Sequence, residues 1–305
     1  MPDKKIYKGV YLAKFLMAIL VVMIHTGSWN LMGFVETAVP FFFIASGFFL
    51  FRKTEKKSRS EELRIIGQWI WKALKLYGIW SLIYLPFAIY GYHSEGLPLT
   101  KAILHYVRNF IFVGENFLSW PLWYLLALVW GGALIWLMTK LRFPIWVMIL
   151  IGAALTISTH FIDYPSIELY AKVFRDTRNG IFVGLLYLAT GGLLQRLHLQ
   201  SGTIWYALAA AGCFIGLQFT HWFLYPLTVF LFLLSSTVHL KPIDRHVAKG
   251  LGSMSRTIYL IHMLFAGCFM LLVGIPKPSL GLFALTLGMS AATAAAVFHF
   301  QDRRV

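Results

Sequence analysis

Long apolar runs, separated by short polar segments, dominate the chain. Each run is close to the ~20 residues that a helix needs to cross the hydrocarbon core of a bilayer, and the runs lack the short alternating strands of a membrane barrel. We therefore predict an all-α, polytopic membrane protein with about ten transmembrane helices. The predicted spans cover residues 9–27, 32–51, 66–91, 119–139, 143–160, 179–197, 202–220, 222–239, 255–274 and 279–300.

Two further segments refine this picture. Residues 99–114 are amphipathic, with Lys101, His105 and Arg108, and are predicted to form an interfacial helix rather than a span. The first run follows a cluster of lysines and precedes no small-residue cleavage site, so we expect it to be an uncleaved first span. No fixed-period repeat and no separate soluble domain is visible, and residues 1–305 are expected to form a single integral membrane domain.

The composition excludes a soluble globule. Hydrophobic residues make up 59% of the chain, and the 25 glycines bring the apolar share to about 67%, against about 45–50% in a soluble domain, while charged residues are only 13% against about 25%. The net charge of +15 arises with only 12 acidic residues, which fits basic loops at an anionic membrane surface rather than a nucleic-acid partner. The two cysteines follow no disulfide or zinc spacing, and no metal motif is present.

The distribution of Lys and Arg predicts the orientation in the membrane. With the N-terminus inside, the cytoplasmic segments carry most of the loop cations, above all in 52–65, whereas the outer segments 91–118 and 161–178 carry fewer. An even number of spans then puts both termini in the cytoplasm. We expect a multi-pass protein of the bacterial plasma (inner) membrane, in contact with membrane lipids.

Four more cations fall within or at the edge of predicted spans. Charge at membrane depth costs roughly a few kcal/mol even on lenient scales, so such side chains usually face a wet cavity or a ligand. The alternative is snorkelling to the nearby interface, which Lys does well. Their similar cytoplasmic depth favours a shared anion site. The four are Lys14, Lys72, Lys75 and Arg256.

Lys14 and His25 share the first span and point the same way. They are 11 residues apart, about 16 Å along a helix and only about 20° from three full turns. A cation near the cytoplasm can hold a phosphate, and a deeper neutral imidazole can remove a hydroxyl proton. An acyl carrier with phosphates at one end and a thioester at the other has a matching shape. The alternative for His25 is a histidine that hydrogen-bonds a neighbouring helix.

Three more charged residues are candidates for the same site. Lys72 and Lys75 share a face of the third span and would strengthen the phosphate site, or they anchor that helix at the cytoplasmic interface. Glu36 lies at the outer start of the second span. It could orient the imidazole of His25, as an acid does in a hydrolase triad, or it is an exposed acid at the outer interface.

Five short motifs occur in order along nearly the whole chain. They read Lys14…His25, Ser46-Gly47-Phe48-Phe49-Leu50, Lys72-Ala73-Leu74-Lys75, Leu122-Trp123-Tyr124-Leu125 and Ser255…Tyr259-Leu260-Ile261-His262. The ordered set resembles the acyltransferase-3 family of integral membrane O-acyltransferases.

The departures from that family lie at identifiable positions. Lys stands at the family's Arg positions. Lys keeps the positive charge but lacks the planar guanidinium group with which Arg binds a phosphate bidentately. Tyr11 and Pro121 stand where the family often has an acid and a His. Residues 178–180, Arg-Asn-Gly, resemble the branch that includes the membrane domain of vancomycin-resistance serine racemases, a domain associated with serine uptake.

The resemblance implies transfer of an acyl group, usually acetyl, from cytoplasmic acyl-CoA to a hydroxyl of an envelope glycan or lipid-linked acceptor. It makes His25 the expected catalytic residue, acting as general base or transient acyl carrier, and makes Lys14, Lys72 and Lys75 the expected residues for acyl-CoA. Acetyl-CoA or another acyl-CoA is then a co-substrate, and no cofactor is expected to be permanently bound.

Several polar and aromatic residues of the motifs are candidates for the substrate channel. Trp123 and Tyr124 could line it, or serve as core or aromatic-belt residues, and Ser46 could equally mark close helix packing. The His on the last motif is expected in a polar network that supports the site. The outer Arg-Asn pair could meet the acceptor or anchor a helix. The full set is Ser46, Trp123, Tyr124, Arg178, Asn179, Tyr259 and His262.

Two other functions stay open on the sequence. A transporter of a small polar solute such as serine usually shows inverted repeats and buried acids. The sequence shows no clear repeat and almost no acid deep in a predicted span, which counts against a transporter without excluding it. A non-catalytic membrane scaffold would leave the alignment of Lys14 with His25 unexplained.

Overall fold

The chain is helical in the part that the computed structural model describes, residues 6–27, 34–175, 181–197, 203–217, 224–238 and 243–303. That part contains no β-strand, which confirms the all-α prediction. Short 3-10 turns cover Phe34–Thr37 and Tyr164–Ser166, and π-helical turns cover Asn109–Val113 and Phe269–Val273. The helices are α1 (Lys8–Thr26), α2 (Ala38–Thr54), α3 (Arg59–Ile83), α4 (Leu85–Ser94), α5 (Leu99–Arg108), α6 (Leu122–Lys140), α7 (Ile145–Phe161), α8 (Glu168–Phe174), α9 (Gly184–Arg196), α10 (Thr203–Leu217), α11 (Leu224–Thr237), α12 (Arg245–Cys268) and α13 (Leu280–Asp302).

Five helical segments of the described residues are long and apolar enough to cross a membrane. A sixth is present if α3 and α4, which are bent by 52° at their junction, form one span. The multi-pass prediction is therefore confirmed in its coarse form. The five segments are Lys8–Thr26, Phe34–Thr54, Leu122–Lys140, Arg245–Val273 and Leu280–Asp302.

The other four predicted spans contain shorter helices. They are α7, α9, α10 and α11, with 17, 13, 15 and 14 residues. Thirteen residues rise only about 20 Å, less than the ~30 Å of hydrocarbon core. The count of ten spans and the cytoplasmic position of the termini stay predictions.

The largest differences from the helix boundaries that the apolar pattern predicts occur at three places. The predicted span 66–91 is broken between α3 and α4, where Pro86 lies in the first turn of α4 and cannot continue the hydrogen-bond ladder of α3. Helix α3 begins seven residues early, at Arg59, because Ser58 and Glu61 form a capping box. Helix α12 begins at Arg245 rather than 255, capped by Asp244.

The chain packs as two compact units, and the division falls within α2. We call Met1–Ala45 with His198–Val305 the terminal unit, and Ser46–Leu197 the central unit. In the terminal unit α12 packs against α1 and α13, and α11 packs against α1 and α10. A Cβ on Gly9 would lie 2.1 Å from the Ser235 carbonyl oxygen, so only glycine allows α1 and α11 to approach this closely. The prediction of one domain over 1–305 stays a prediction.

The central unit is built around α6, which packs against α3 and α9, while α7 packs on α9. Gly47 of α2 lies so close to α9 that a Cβ would meet the Leu188 carbonyl oxygen at 2.1 Å. Helix α5 exposes Leu99, Ile103 and Leu104 on one side. That apolar surface fits the interfacial helix predicted over 99–114.

Candidate active site

His25 and His262 face each other in the terminal unit. His25 lies in the last turn of α1 and His262 lies on α12. Their ring centroids are 5.3 Å apart and the ring planes differ by 28°, so the imidazoles are stacked. His262 is fully buried, whereas His25 is partly exposed. The first and last motifs of the sequence thus meet at one point.

The hydrogen bonds of His262 fix its tautomer. Its Nδ1 lies 2.9 Å from the Tyr259 carbonyl oxygen and 3.1 Å from that of Ile258. Carbonyl oxygens only accept, so in the neutral ring Nδ1 carries the hydrogen and Nε2 carries the lone pair. Nε2 is buried and has no hydrogen-bond partner among the described residues. A buried acceptor of this kind is suited to a hydroxyl donor from a ligand.

Tyr259 extends this cluster on α12. Its ring is buried, packs edge-on against Phe42 at 5.5 Å and lies 6.3 Å from the ring of His262. Tyr259 therefore contributes a carbonyl oxygen and an aromatic wall around His262. That the last motif supports the site through a polar network stays a prediction.

Lys277 lies beside the His25 end of α1 and is a candidate site residue that was not predicted from the sequence. It lies in the loop between α12 and α13, and its Cε would be 3.5 Å from a Cβ built on Gly27 at the end of α1. Its charge acts electrostatically on His25, and partial burial lowers the pKa of Lys277. No sequence pattern relates this loop to the first span, because the contact is made only by the packing of α1 against α12.

Lys14 lies on the same unbroken helix as His25, so the rise of about 16 Å expected between them holds. Arg256 of α12 is close enough for its charge to repel that of Lys14. Lys14 is partly buried and Arg256 is exposed. Two neighbouring cations would both be stabilised by an anion such as a phosphate.

Glu36 lies in the 3-10 turn Phe34–Thr37 with an exposed side chain. That environment is typical of an acid at the interface, the alternative weighed for it above. The contact of Glu36 with His25 stays a prediction.

In the central unit, Ser46 and Tyr124 join the second and fourth motifs. The Ser46 hydroxyl and the Tyr124 hydroxyl form a hydrogen bond of 3.0 Å. Tyr124 is buried in α6, and the neighbouring Trp123 is partly exposed. Ser46 is thus both a packing residue beside Gly47 and a hydrogen-bond partner.

Lys72 and Lys75 are exposed on α3, in the central unit. The Lys75 ammonium lies 5.2 Å from the centroid of the Trp71 ring, a cation–π contact. An exposed Lys paired with an exposed Trp is also typical of an interfacial anchor, so both alternatives for these lysines remain. Arg178 and Asn179 lie outside the described residues.

Comparison with known proteins assigns the family. A family profile described as an acyltransferase domain matches residues 7–299. An amino-acid racemase of Enterococcus faecalis is 29% identical over 219 residues, which are 64% of this chain and 29% of that protein. A serine/alanine racemase of Enterococcus gallinarum is 28% identical over 248 residues, 74% of this chain and 35% of that protein.

The chain thus spans about a third of the length of these two relatives. No solved structure matches it significantly. The profile match extends over almost all of the sequence, from the start of α1 to the end of α13, and includes every motif discussed above. The chain belongs to the acyltransferase-3 family of membrane acyltransferases.

Proposed function

We propose that this protein transfers an acyl group, acetyl in the simplest case, from cytoplasmic acyl-CoA to a hydroxyl of a cell-envelope glycan or a related acceptor. The observation that carries the proposal is the stacked pair of His25 and His262 at the end of the helix that also bears Lys14. A long, thin donor has its phosphates near Lys14 and its thioester near His25.

The chemistry follows from two imidazoles with different roles. His25 removes the proton of the acceptor hydroxyl, and the oxygen attacks the thioester carbonyl. The C–S bond then breaks, an ester forms, and the CoA thiolate takes the proton back from His25. In a second version His25 attacks the thioester carbonyl first, the C–S bond breaks, and CoA leaves as the thiol with the ring proton. The acceptor hydroxyl then attacks the transient acyl-histidine and returns its proton to the ring as the ester forms.

His262 acts beside the reacting atoms. Its Nδ1–H is held by backbone carbonyls, so its buried Nε2 is presented as a fixed acceptor. A neighbouring hydroxyl of the acceptor that donates to Nε2 orients the acceptor, and His25 then takes the proton of the reacting hydroxyl. Orientation of this kind is a large part of enzymatic rate enhancement.

The donor end of the site rests on the cations near the start of α1. Lys14 and Arg256 repel each other in the absence of an anion, and a CoA phosphate relieves that repulsion. Lys72 and Lys75, in the central unit, are proposed as further phosphate-binding residues and require their own test.

The proposed topology agrees with this direction of transfer. Ten spans with both termini in the cytoplasm put the Lys14 end of α1 on the donor side. They put the His25 end of α1 toward the envelope side of the bacterial plasma membrane, where a glycan or lipid-linked acceptor arrives.

Whether the protein is an acyltransferase is tested with the full chain in proteoliposomes. The protein is expected to bind acetyl-CoA and to release the CoA thiol, with transfer to an acceptor when envelope glycan fractions are supplied. An absence of both binding and thiol release would contradict the proposal.

The alternative of a serine transporter is favoured by one observation, the names of the two racemases that resemble the chain. The discriminating measurement is counterflow of labelled serine into the same proteoliposomes without an acyl donor. Transferase function predicts no counterflow above that of empty vesicles, whereas transport predicts saturable uptake that is independent of acetyl-CoA.

A further inference from the structure

The central unit contains a polar cavity that the proposed chemistry does not use. It has a volume of about 370 Å³ and lies where the end of α4, the end of α5, the segment 114–120 and Arg175 meet. Its lining combines cations, acids and an aromatic ring, in contrast to the apolar surfaces around it. The residues that matter here are Glu95, His105, Arg108, Glu115, Trp120 and Arg175.

One wall of the cavity is held by a network around Asn109, which is buried. Its Nδ2 donates to the Tyr92 hydroxyl at 3.2 Å and to Asn116 Oδ1 at 3.3 Å. Tyr92 in turn donates to Asn116 Oδ1 at 2.6 Å, and the Asn116 N–H donates to Ser119 Oγ at 2.7 Å. A connected network of this kind fixes the wall before any ligand arrives.

The same network orients Arg108. Its Nε and Nη2 donate to Asn109 Oδ1 at 3.1 and 2.9 Å, and its Nη1 lies 3.5 Å from the Lys172 carbonyl oxygen. These partners are neutral, so the guanidinium keeps its full charge at the cavity. Three of its five N–H groups are engaged by these bonds, and the planar fork suits a carboxylate.

Arg175 supplies a second positive charge to the same cavity. Burial lowers the pKa of Arg108, and repulsion by Arg175 lowers it further. Two guanidinium groups that repel each other are both stabilised when a single anion binds between them.

The acids in the lining narrow the class of ligand. Glu95 and Glu115 repel a polyanion such as a nucleotide phosphate, and they accept hydrogen bonds from hydroxyl or ammonium groups. Trp120 adds an aromatic surface against which an apolar face can pack. The combination favours a molecule with one carboxylate and several hydrogen-bond donors.

We propose that this cavity binds a small hydroxylated carboxylate, either a sugar acid or a hydroxy amino acid, through Arg108 and Arg175. The cavity lies in segments 91–118 and 161–178, which face outward in the proposed topology. Its assignment as the site that receives the acyl acceptor rests on the proposed transferase function, whereas binding itself does not.

The experiment measures binding to the detergent-purified full chain without an acyl donor. Two matched pairs of probes isolate the carboxylate: glucuronate against glucose, and serine against serinol. The variant is Arg175→Gln, at an exposed position that is not needed for the Asn109 network. The control is Lys101→Gln, which removes an exposed cation of α5 that does not line the cavity.

We expect at least one carboxylate of a pair to bind while its neutral counterpart does not. Arg175→Gln should weaken that binding on the order of 10- to 100-fold, the size of a charged hydrogen bond, and Lys101→Gln should leave it unchanged. Glucuronate binding would support a sugar acid, and serine binding would support a hydroxy amino acid. Absence of carboxylate binding, or binding insensitive to Arg175→Gln, would overturn the proposal.

The two proposals fail independently. If both wild type and His25→Ala bind the carboxylate, and wild type shows no acyl transfer, the cavity assignment stands and the transferase assignment falls. If transfer is detected and no carboxylate binds, the reverse holds.

Discussion

The imidazole of His25 stacks on that of His262 with 5.3 Å between ring centroids. This contact brings the first and last motifs of the sequence together in the terminal unit. Because the Nδ1–H of His262 is held by carbonyls of its own helix, the pair combines one partly exposed base with one buried, fixed acceptor. That division of roles makes separate predictions for the two histidines.

The change His262→Phe should lower kcat about 10- to 100-fold and leave the KM for acetyl-CoA unchanged. An aromatic ring, larger by one atom, stays in place while the acceptor at Nε2 is lost, so the acceptor substrate is oriented less well and donor binding is unaffected. Since the change also removes the Nδ1–H that is held by the Tyr259 and Ile258 carbonyls, thermal unfolding in detergent should show a loss of stability of about 1 to 2 kcal/mol.

The matched control for this change is Met263→Leu, an adjacent buried position and a volume-conserving exchange. It should leave both kcat and stability close to wild type. A drop of kcat in the control, or wild-type kcat in His262→Phe, would show that His262 only fills space.

The change Lys14→Met should raise the KM for acetyl-CoA about tenfold, because a charged contact to phosphate is lost. Lys14→Arg should restore or improve donor affinity, since guanidinium binds phosphate bidentately. Kinetics with acetyl-pantetheine, which lacks the nucleotide phosphates, provide the internal control. An equal effect on both donors would contradict a phosphate contact at Lys14.

The double change Lys72→Gln with Lys75→Gln separates the two alternatives for these exposed lysines. A phosphate-binding role predicts a KM for acetyl-CoA raised on the order of tenfold, with unchanged membrane insertion. Trp71→Leu removes the cation–π partner of Lys75 but keeps both charges, so a phosphate-binding role predicts an unchanged KM in this control. Unchanged KM together with poorer insertion would assign both lysines to the membrane interface instead.

The Ser46–Tyr124 hydrogen bond should appear as a coupling energy in a double-mutant cycle. Ser46→Ala and Tyr124→Phe, measured singly and together by unfolding in detergent, should give a coupling of about 1 kcal/mol. A coupling near zero would mean that the two hydroxyls do not depend on each other.

Relationships within one helix were the part of the site that could be predicted from the sequence. Lys14 and His25 lie on a single unbroken helix, so helical geometry alone gave their separation. The sequence also contains the cause of the break at Pro86, because proline cannot continue a helix from the preceding turn. The apolar pattern continues through Pro86, so it predicts one span where the structure has two helices.

Contacts between distant segments could not be predicted. His262 and Lys277 reach His25 only because α12 packs against α1, and apolar spacing does not specify which helices pair. The cavity at Arg108 could not be predicted for the same reason, because its wall is formed by the ends of α4 and α5 together with Arg175, which follows α8. The sequence indicated an amphipathic segment there and gave no sign of the Asn109 network.

The central claim is that His25 performs the transfer. The most direct test measures acetyl-CoA binding and turnover side by side in wild type and His25→Ala, with the exposed His93→Ala of α4 as control. The account predicts that His25→Ala binds the donor normally and that its turnover falls at least about 100-fold, while His93→Ala matches wild type. Wild-type turnover in a folded His25→Ala protein would contradict it.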